Sequence, residues 1–219
     1  MVISASSAAS SNVRRFFFQK IYKYEIHSSA RIGRSIILSR RLVMKENSII
    51  RNGNLIKKID LLCLNQGACI ASFNLISGVS TAEIERYQIN GDRKCQLILE
   101  ENATITSRHF IDCNGGVVVG AYTTVAGNGT QILTHSIDPY LNREIAKPIS
   151  IGKYCFVGTR CLFLPGTALP DYSILGGGSV VTKKLAVPSC LYAGAPAVVR
   201  KKLDIADVPY FSRTERVVD

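Results

Sequence analysis

Three histidines supply the candidate acid–base groups of this chain: His27, His109 and His135. An imidazole with an unperturbed pKa near 6.5 can take a proton and return it at neutral pH, which suits it to general base catalysis. His135 lies in ILTHSIDP, where a regular repeat gives way to a loop. By spacing alone it is either a base or a loop histidine satisfied by hydrogen bonds. Asp112, Asp138 and Glu144 are the acidic residues that could orient it. His109 lies in ITSRHFIDC, three residues before Asp112, and fills a small-residue slot two before Ile111. That slot makes it either a group lining a groove or a structural corner. His27, in EIHSSA near the start, reads as a structural corner residue.

The elements that position these groups follow a period of six. From Ile151 to Val181 an aliphatic or aromatic residue recurs at Ile151, Val157, Phe163, Leu169, Leu175 and Val181. Two positions before the later five stand Cys155, Cys161, Thr167, Ser173 and Ser179. Six fits neither a helix nor an alternating strand. It is the mark of a parallel β-helix whose hexapeptides each form one face of a triangular coil. Earlier beats are expected at Ile26, Ile32 and Leu38, then Val43, Ile49 and Leu55, then Leu64, Ile70 and Ile76. They resume at Leu99, Ile105 and Ile111, then Val119, Val125 and Gln131 or Ile132. Interruptions at 79–96 and 135–148 read as loops thrown from corners, where repeat proteins often place binding surfaces. Residues 1–24 read as a flexible leader whose Phe16–Phe18 patch caps the open end of the coil. The coil is expected over 25–181, with a C-terminal cap and frayed tail over 182–219.

Past the coil the chain reads GGGSVVTKK and then AGAPA. In Gly176–Thr182 and Ala193–Ala197 it resembles the hexapeptide-repeat acetyltransferases, which end their left-handed β-helix with a very similar run. Pro148, Ile149, Ile151 and Gly152 reproduce the element that follows the catalytic loop in galactoside, maltose and exopolysaccharide (colanic-acid-type) O-acetyltransferases. The resemblance implies an all-β left-handed parallel β-helix working as a homotrimer. It implies acetyl-CoA as acyl donor and a sugar or polysaccharide precursor as acceptor, with His135 as general base. His109 enters as a second catalytic candidate through a likeness to serine acetyltransferases, although four more residues intervene here before Val118–Gly120. Thr159 and Gly177 would lie beside the pantetheine arm, and Thr182, Lys183 and Lys201 near the phosphates. A backbone N–H at Gly127–Gly129 is a candidate for the oxyanion donor. Alternatives are N-acetyl transfer to an amino-sugar nucleotide and a non-catalytic solenoid.

Composition narrows the partners. The net charge is +11, but the lysines and arginines are scattered, with no basic run interleaved with aromatics, so nucleic acid is not expected. No apolar run approaches the roughly 18 residues needed to span a bilayer. Seven cysteines without a CxxC pair read as reduced, buried thiols of a cytoplasmic protein. A metal role lacks ligands, since the solenoid carbonic anhydrases need three histidines with two in an H-x4-H segment. No GxGxxG or Walker loop points to another nucleotide.

Overall fold

The structure, a computed structural model, describes residues 13–81 and 93–217. It is a left-handed parallel β-helix. Three parallel sheets take the strands in strict rotation, so each sheet receives every third strand and each triplet closes one coil. The first sheet runs from Glu25–Ile26 to Ala168–Leu169, the second from Arg31–Ile32 to Ile174–Leu175, and the third from Ile36–Leu38 to Val180–Val181. Seven coils result, stacked about 4.8 Å apart.

Register explains the sixfold beat. In the first sheet Ile26, Met44, Leu64, Leu99, Val119, Ile151 and Leu169 sit directly above one another. Ile32, Ile50, Ile70, Ile105, Val125, Val157 and Leu175 do so in the second. Ile37, Ile56, Ile76, Ile111, Ile132, Phe163 and Val181 form the third stack. All are buried. Each such side chain contributes about 1.5–3 kcal/mol on leaving water, and together they fix the register, because a one-residue slip would turn every stack outward.

The first coils correct the expected beat. Ile37, Met44, Ile50 and Ile56 point inward where Leu38, Val43, Ile49 and Leu55 were expected, and Leu38 is 53% exposed. A short step of five residues, Ile32 to Ile37, moves the third beat back by one, and the long step of seven from Ile37 to Met44 moves the next three forward by one. Adjacent apolar residues in Ile36–Leu38 and Ile49–Ile50 make both registers equally hydrophobic on paper. Ile132, not Gln131, takes the fifth beat of the third sheet.

Both ends of the coil are covered. Residues 13–21 are helical, and Phe18 packs on the core beside Tyr24. Residues 1–12 of the expected leader lie outside the described residues. At the other end Cys190–Ala193 joins the second sheet and pairs antiparallel with Val198–Lys202. The tail beyond is not frayed over its described length. Pro209–Ser212 forms a 3-10 turn that buries Phe211. Arg213 then donates to the Tyr122 carbonyl, and Arg216 to the carbonyls of Asn47 and Gly67. The tail therefore runs back along the corner between the first and second sheets. It lies over a ladder of Tyr122, Tyr154 and Tyr172, whose rings stack at 4.8 and 5.2 Å.

Candidate active site

The three corners of the prism separate the three histidines. His27 is at the first corner, between the first and second sheets, in coil one. There it is exposed, with Nδ1 2.9 Å from Ser29 Oγ and Nε2 3.7 Å from Glu46. This is the structural place expected of it.

His109 is at the second corner, just before Phe110–Asp112, and is 3% exposed. It continues an internal ladder in which each coil accepts the backbone N–H of the next. Asn54 Oδ1 accepts from Asn74 N, and Asn74 Oδ1 from His109 N, both at 2.9 Å. His109 Nδ1 then accepts from Thr130 N at 3.1 Å, and Thr130 Oγ1 from Cys161 N at 3.2 Å. The imidazole thus does the work of a carboxamide oxygen. With Nδ1 accepting, the proton sits on Nε2, which donates to Thr106 Oγ1 at 2.9 Å. Both nitrogens are occupied, and burial pushes the pKa down to about 4. The structure places this catalytic candidate as a buried rung of the ladder, with both ring nitrogens engaged.

His135 is at the third corner, where the third sheet returns to the first, and begins an antiparallel hairpin of His135–Asp138 with Arg143–Ala146. The interruption expected here is therefore an ordered arm. Asp138 is spent on its turn, accepting from Tyr140 N and Leu141 N. Asp112, one coil earlier at the same corner, holds the histidine: its Oδ2 is 2.7 Å from His135 Nδ1. The same oxygen accepts from His135 N at 2.9 Å, Thr134 N at 2.8 Å and Thr134 Oγ1 at 2.9 Å. Asn114 N reaches Oδ1 at 3.1 Å.

This web sets the charges. Burial alone would raise the Asp112 pKa, but the hydrogen bond and charge of His135, with the N–H of Asn114 and the Thr134 side chain, leave it lowered. The hydrogen bond that Nδ1–H donates to Asp112 raises the His135 pKa against its partial burial, with Asp112 and Glu144 adding their charge. The ionised carboxylate accepts a hydrogen bond from Nδ1–H, which keeps the proton on Nδ1 and leaves Nε2 as the basic nitrogen. Among the described residues no partner occupies Nε2, and the side chain is 41% exposed. The arrangement is that of an imidazole oriented by a carboxylate, with its second nitrogen free of partners among the described residues.

Asn114 and Thr134 had no signal of their own in the sequence. The usable clue was the two-residue excess near Cys113–Gly116, which marks the corner where Asp112 ends its strand.

The five expected donor-binding residues do not form one cluster. Thr159 and Gly177 stack at the second corner in coils six and seven, both exposed. A side chain at Gly177 would meet the Thr159 carbonyl at 3.2 Å, and one at Gly158 would strike Gly177 N at 2.6 Å. Thr182 and Lys183 stand exposed at the third corner, two coils beyond His135, just before the bridge of Lys184 to Ala168. Lys201 is exposed on the terminal strand, opposite Leu191. Six residues of extended chain, roughly 20 Å, separate the second and third corners. Gly127 and Gly129 also lie at the second corner, where Thr159 Oγ1 donates to the Asn128 carbonyl at 2.8 Å. No group of three or more His, Cys, Asp or Glu among the described residues could hold a metal ion.

In sequence and in fold the chain is similar to hexapeptide-repeat acetyltransferases. It is 26% identical over 119 residues to the galactoside O-acetyltransferase of Escherichia coli (strain K12), covering 53% of this chain and 56% of that one. It is 37% identical over 79 residues to the putative acetyltransferase SAV2555 of Staphylococcus aureus (strain Mu50 / ATCC 700699), 35% of this chain and 39% of the relative. The chain thus spans about half the length, or less, of the curated relatives it matches. Among solved structures the polysialic acid O-acetyltransferase OatWY superposes with a TM-score of 0.63 at 19% identity, covering 82% of this chain and 84% of that one. The hexapeptide-repeat-containing acetyltransferase VCA0836 of Vibrio cholerae O1 biovar eltor, complexed with acetyl coenzyme A, gives 0.52 at 19% identity, over 65% and 71%. No family model matches the chain.

Proposed function

We propose that this chain is an acyltransferase that moves an acetyl group from acetyl-CoA to a hydroxyl of a sugar or polysaccharide precursor, with His135 as general base. The observation that carries the reading is the Asp112–His135 pair, with Nδ1 committed at 2.7 Å and Nε2 without a partner among the described residues. Support comes from the likeness to a relative named galactoside O-acetyltransferase.

A sugar hydroxyl is a weak nucleophile at neutral pH. His135 Nε2 removes its proton as the oxygen attacks the thioester carbonyl carbon. Asp112 remains ionised and stabilises the imidazolium that forms. As the C–S bond breaks, the proton passes from Nε2 to the departing thiolate, giving the acetyl ester and CoA. Every proton is accounted for on one imidazole nitrogen. Such a base supplies about 10²–10⁴-fold in rate.

Donor contacts are proposed at Thr159 and Gly177 for the pantetheine arm and at Thr182, Lys183 and Lys201 for the phosphates. A donor lying along one corner, parallel to the coil axis, does not reach the next corner of the same prism, about 20 Å of chain away. Corners of neighbouring protomers can meet, and a homotrimer would bring them together. The seven cysteines are all free thiols, which suits a reducing cytoplasm.

The test is CoA release from acetyl-CoA with a panel of sugar hydroxyl and amine acceptors. Turnover with hydroxyl acceptors is expected, together with a drop of about 10²-fold or more in His135→Ala. Turnover with amines alone would replace the acceptor class. Absence of turnover with every acceptor would overturn the reading, and an intact rate in His135→Ala would remove the base.

A further inference from the structure

The insertion that starts at Val79 leaves from the same third corner as His135, two coils earlier. Its two described ends close on the residues around the dyad. Val79 N donates to Asn114 Oδ1 at 2.5 Å, and Arg93 Nη1 donates back to the Val79 carbonyl at 2.6 Å and to the Asn114 carbonyl at 3.2 Å. Arg93 Nη2 donates to the Ser80 carbonyl at 3.2 Å. Asp60 receives Ser80 Oγ at 2.5 Å and Thr81 N and Oγ1 at 2.9 and 2.7 Å, so the start of the insertion is anchored on its other side as well.

Asn114 is the pivot. Because Val79 offers an N–H, the carboxamide must turn its oxygen that way, which leaves Nδ2 2.9 Å from His135 Nδ1; with the Nδ1 proton given to Asp112, Nδ2 is a packing neighbour of the ring edge and not a second hydrogen-bond partner. Asn114 N meanwhile donates to the other oxygen of Asp112. One residue therefore touches both members of the dyad and the neck of the insertion, and it is 4% exposed.

Stability alone is a poor reason to bury Arg93. Its side chain is 8% exposed, and its donors go to neutral backbone carbonyls. Among the described residues its Nε is buried with no partner. A buried cation held this way is costly, and residual unsatisfied groups tend to mark sites with another role.

We propose that Arg93 and Asn114 are positioning residues for the acetyl transfer, clamping Val79–Thr81 and Arg93, the described ends of the insertion, against the corner that holds His135, so that these ends and the base share one frame. The proposal rests on the reading of His135 as the base. The charged groups facing His135 are Asp112 from the coil before, Glu144 from the opposite hairpin strand and Arg93 from the neck. Asp112 and Glu144 favour the imidazolium, while Arg93 opposes it. The neck thereby restrains both the pose of the ring and the proton affinity that the carboxylates would otherwise raise further.

The experiment is an NMR titration of the His135 ring protons, assigned with His135→Gln, in the full chain and in Arg93→Met, Arg93→Lys and Asn114→Ala. This readout needs no turnover, so it separates failure of the positioning role from failure of the proposed reaction. Arg93→Met is expected to move the His135 midpoint to higher pH, while Arg93→Lys, which keeps the charge, stays near wild type. In the acetyl transfer assay Arg93→Met is expected to lower kcat about tenfold or more with KM for acetyl-CoA unchanged, as for a displaced base. Asn114→Ala provides the second route should Arg93→Met fail to fold. Its His135 midpoint is expected to move, because the Nδ2 beside Nδ1 is gone. A His135 midpoint that stays put or falls in folded Arg93→Met, or stays put in Asn114→Ala, overturns the proposal.

Discussion

Asp112 and His135 are 23 residues apart in the chain, yet Asp112 Oδ2 lies 2.7 Å from His135 Nδ1. The coil makes this pair. Phe110–Asp112 and Gln131–Leu133 are neighbours in the third sheet, with Asp112 in register with Leu133, so each residue leaves its strand at the same corner one coil apart.

Replacing Asp112 with Asn is expected to cost about 10²–10⁴-fold in kcat, because the neutral amide neither fixes the Nδ1–H tautomer nor stabilises the imidazolium. The pH dependence carries a sign. The base works deprotonated, and Asp112 raises its pKa above 6.5, so the acid limb of kcat/KM in the wild type lies above that value. Asp112→Asn removes the largest raising cause and should shift the limb to lower pH even as the plateau falls. Rate profiles measured across acceptor concentrations, so that kcat and kcat/KM are both obtained at each pH, with far-UV circular dichroism as the folding control, check both effects. A limb that moves upward contradicts the assignment.

His109 makes the opposite forecast. Its folded pKa is about 4, below 6.5, so the unfolded chain takes up a proton that the native chain refuses. Stability therefore falls as pH drops from 6.5 towards 4 and levels off below, by on the order of 3 kcal/mol in total. His109→Asn restores the ladder chemistry of Asn54 and Asn74, and should fold, lose much of that slope and keep kcat within about threefold. Urea midpoints at stepped pH values measure the slope. A loss of activity as deep as that of His135→Ala, in a folded protein, would return His109 to the catalytic set.

The contrast between these two histidines shows what the sequence could carry. Ile151 to Val181 was readable because its six beats fall at an unbroken spacing of six, the later five each with a small residue two positions before, so the run as a whole fixes one register. Ile36–Leu38 and Ile49–Ile50 offered two, and the choice fell to corner length, which has no local code. His135 was readable as a group at a break in the beat. Its partner was narrowed only to three acids, because contact across coils depends on which corner each residue leaves from. His109 looked catalytic by its neighbour Asp112, but they sit at opposite ends of one strand and face different corners. The C-terminal strap was invisible because its contacts are between a tail and backbone carbonyls up to 169 residues away.

That strap should be stabilising. Phe211 is 3% exposed and meets the Tyr172 ring edge-on at 5.7 Å, while Tyr210 OH donates to the Cys155 carbonyl at 2.9 Å. Phe211→Ala is expected to cost about 3 kcal/mol, as for a buried aromatic truncated to a cavity. The urea midpoint reports it. A midpoint unchanged from wild type would mean that the tail leaves this corner in solution. The first corner is remote from His135, so kcat at moderate temperature should stay near wild type.

The split of the donor residues between two corners yields the last prediction. If acetyl-CoA lay along one protomer, Thr159 and Gly177 could not share it with His135, since about 20 Å of chain separates the second and third corners. If the site lies between protomers, His135 comes from one and Gly177 from its neighbour. Gly177→Trp should then block the donor groove without touching its own His135, and His135→Ala should remove the base without touching its own groove. Each variant alone is expected to be inactive. Denatured together in equal amounts and refolded, they should recover roughly a quarter of wild-type activity, because each half of a site is intact with even odds and the two halves come from different chains. Refolding each variant alone is the control. Mixed samples that remain as inactive as the separate variants, while size-exclusion chromatography shows mixed oligomers, would place both halves on one chain and reject the shared site.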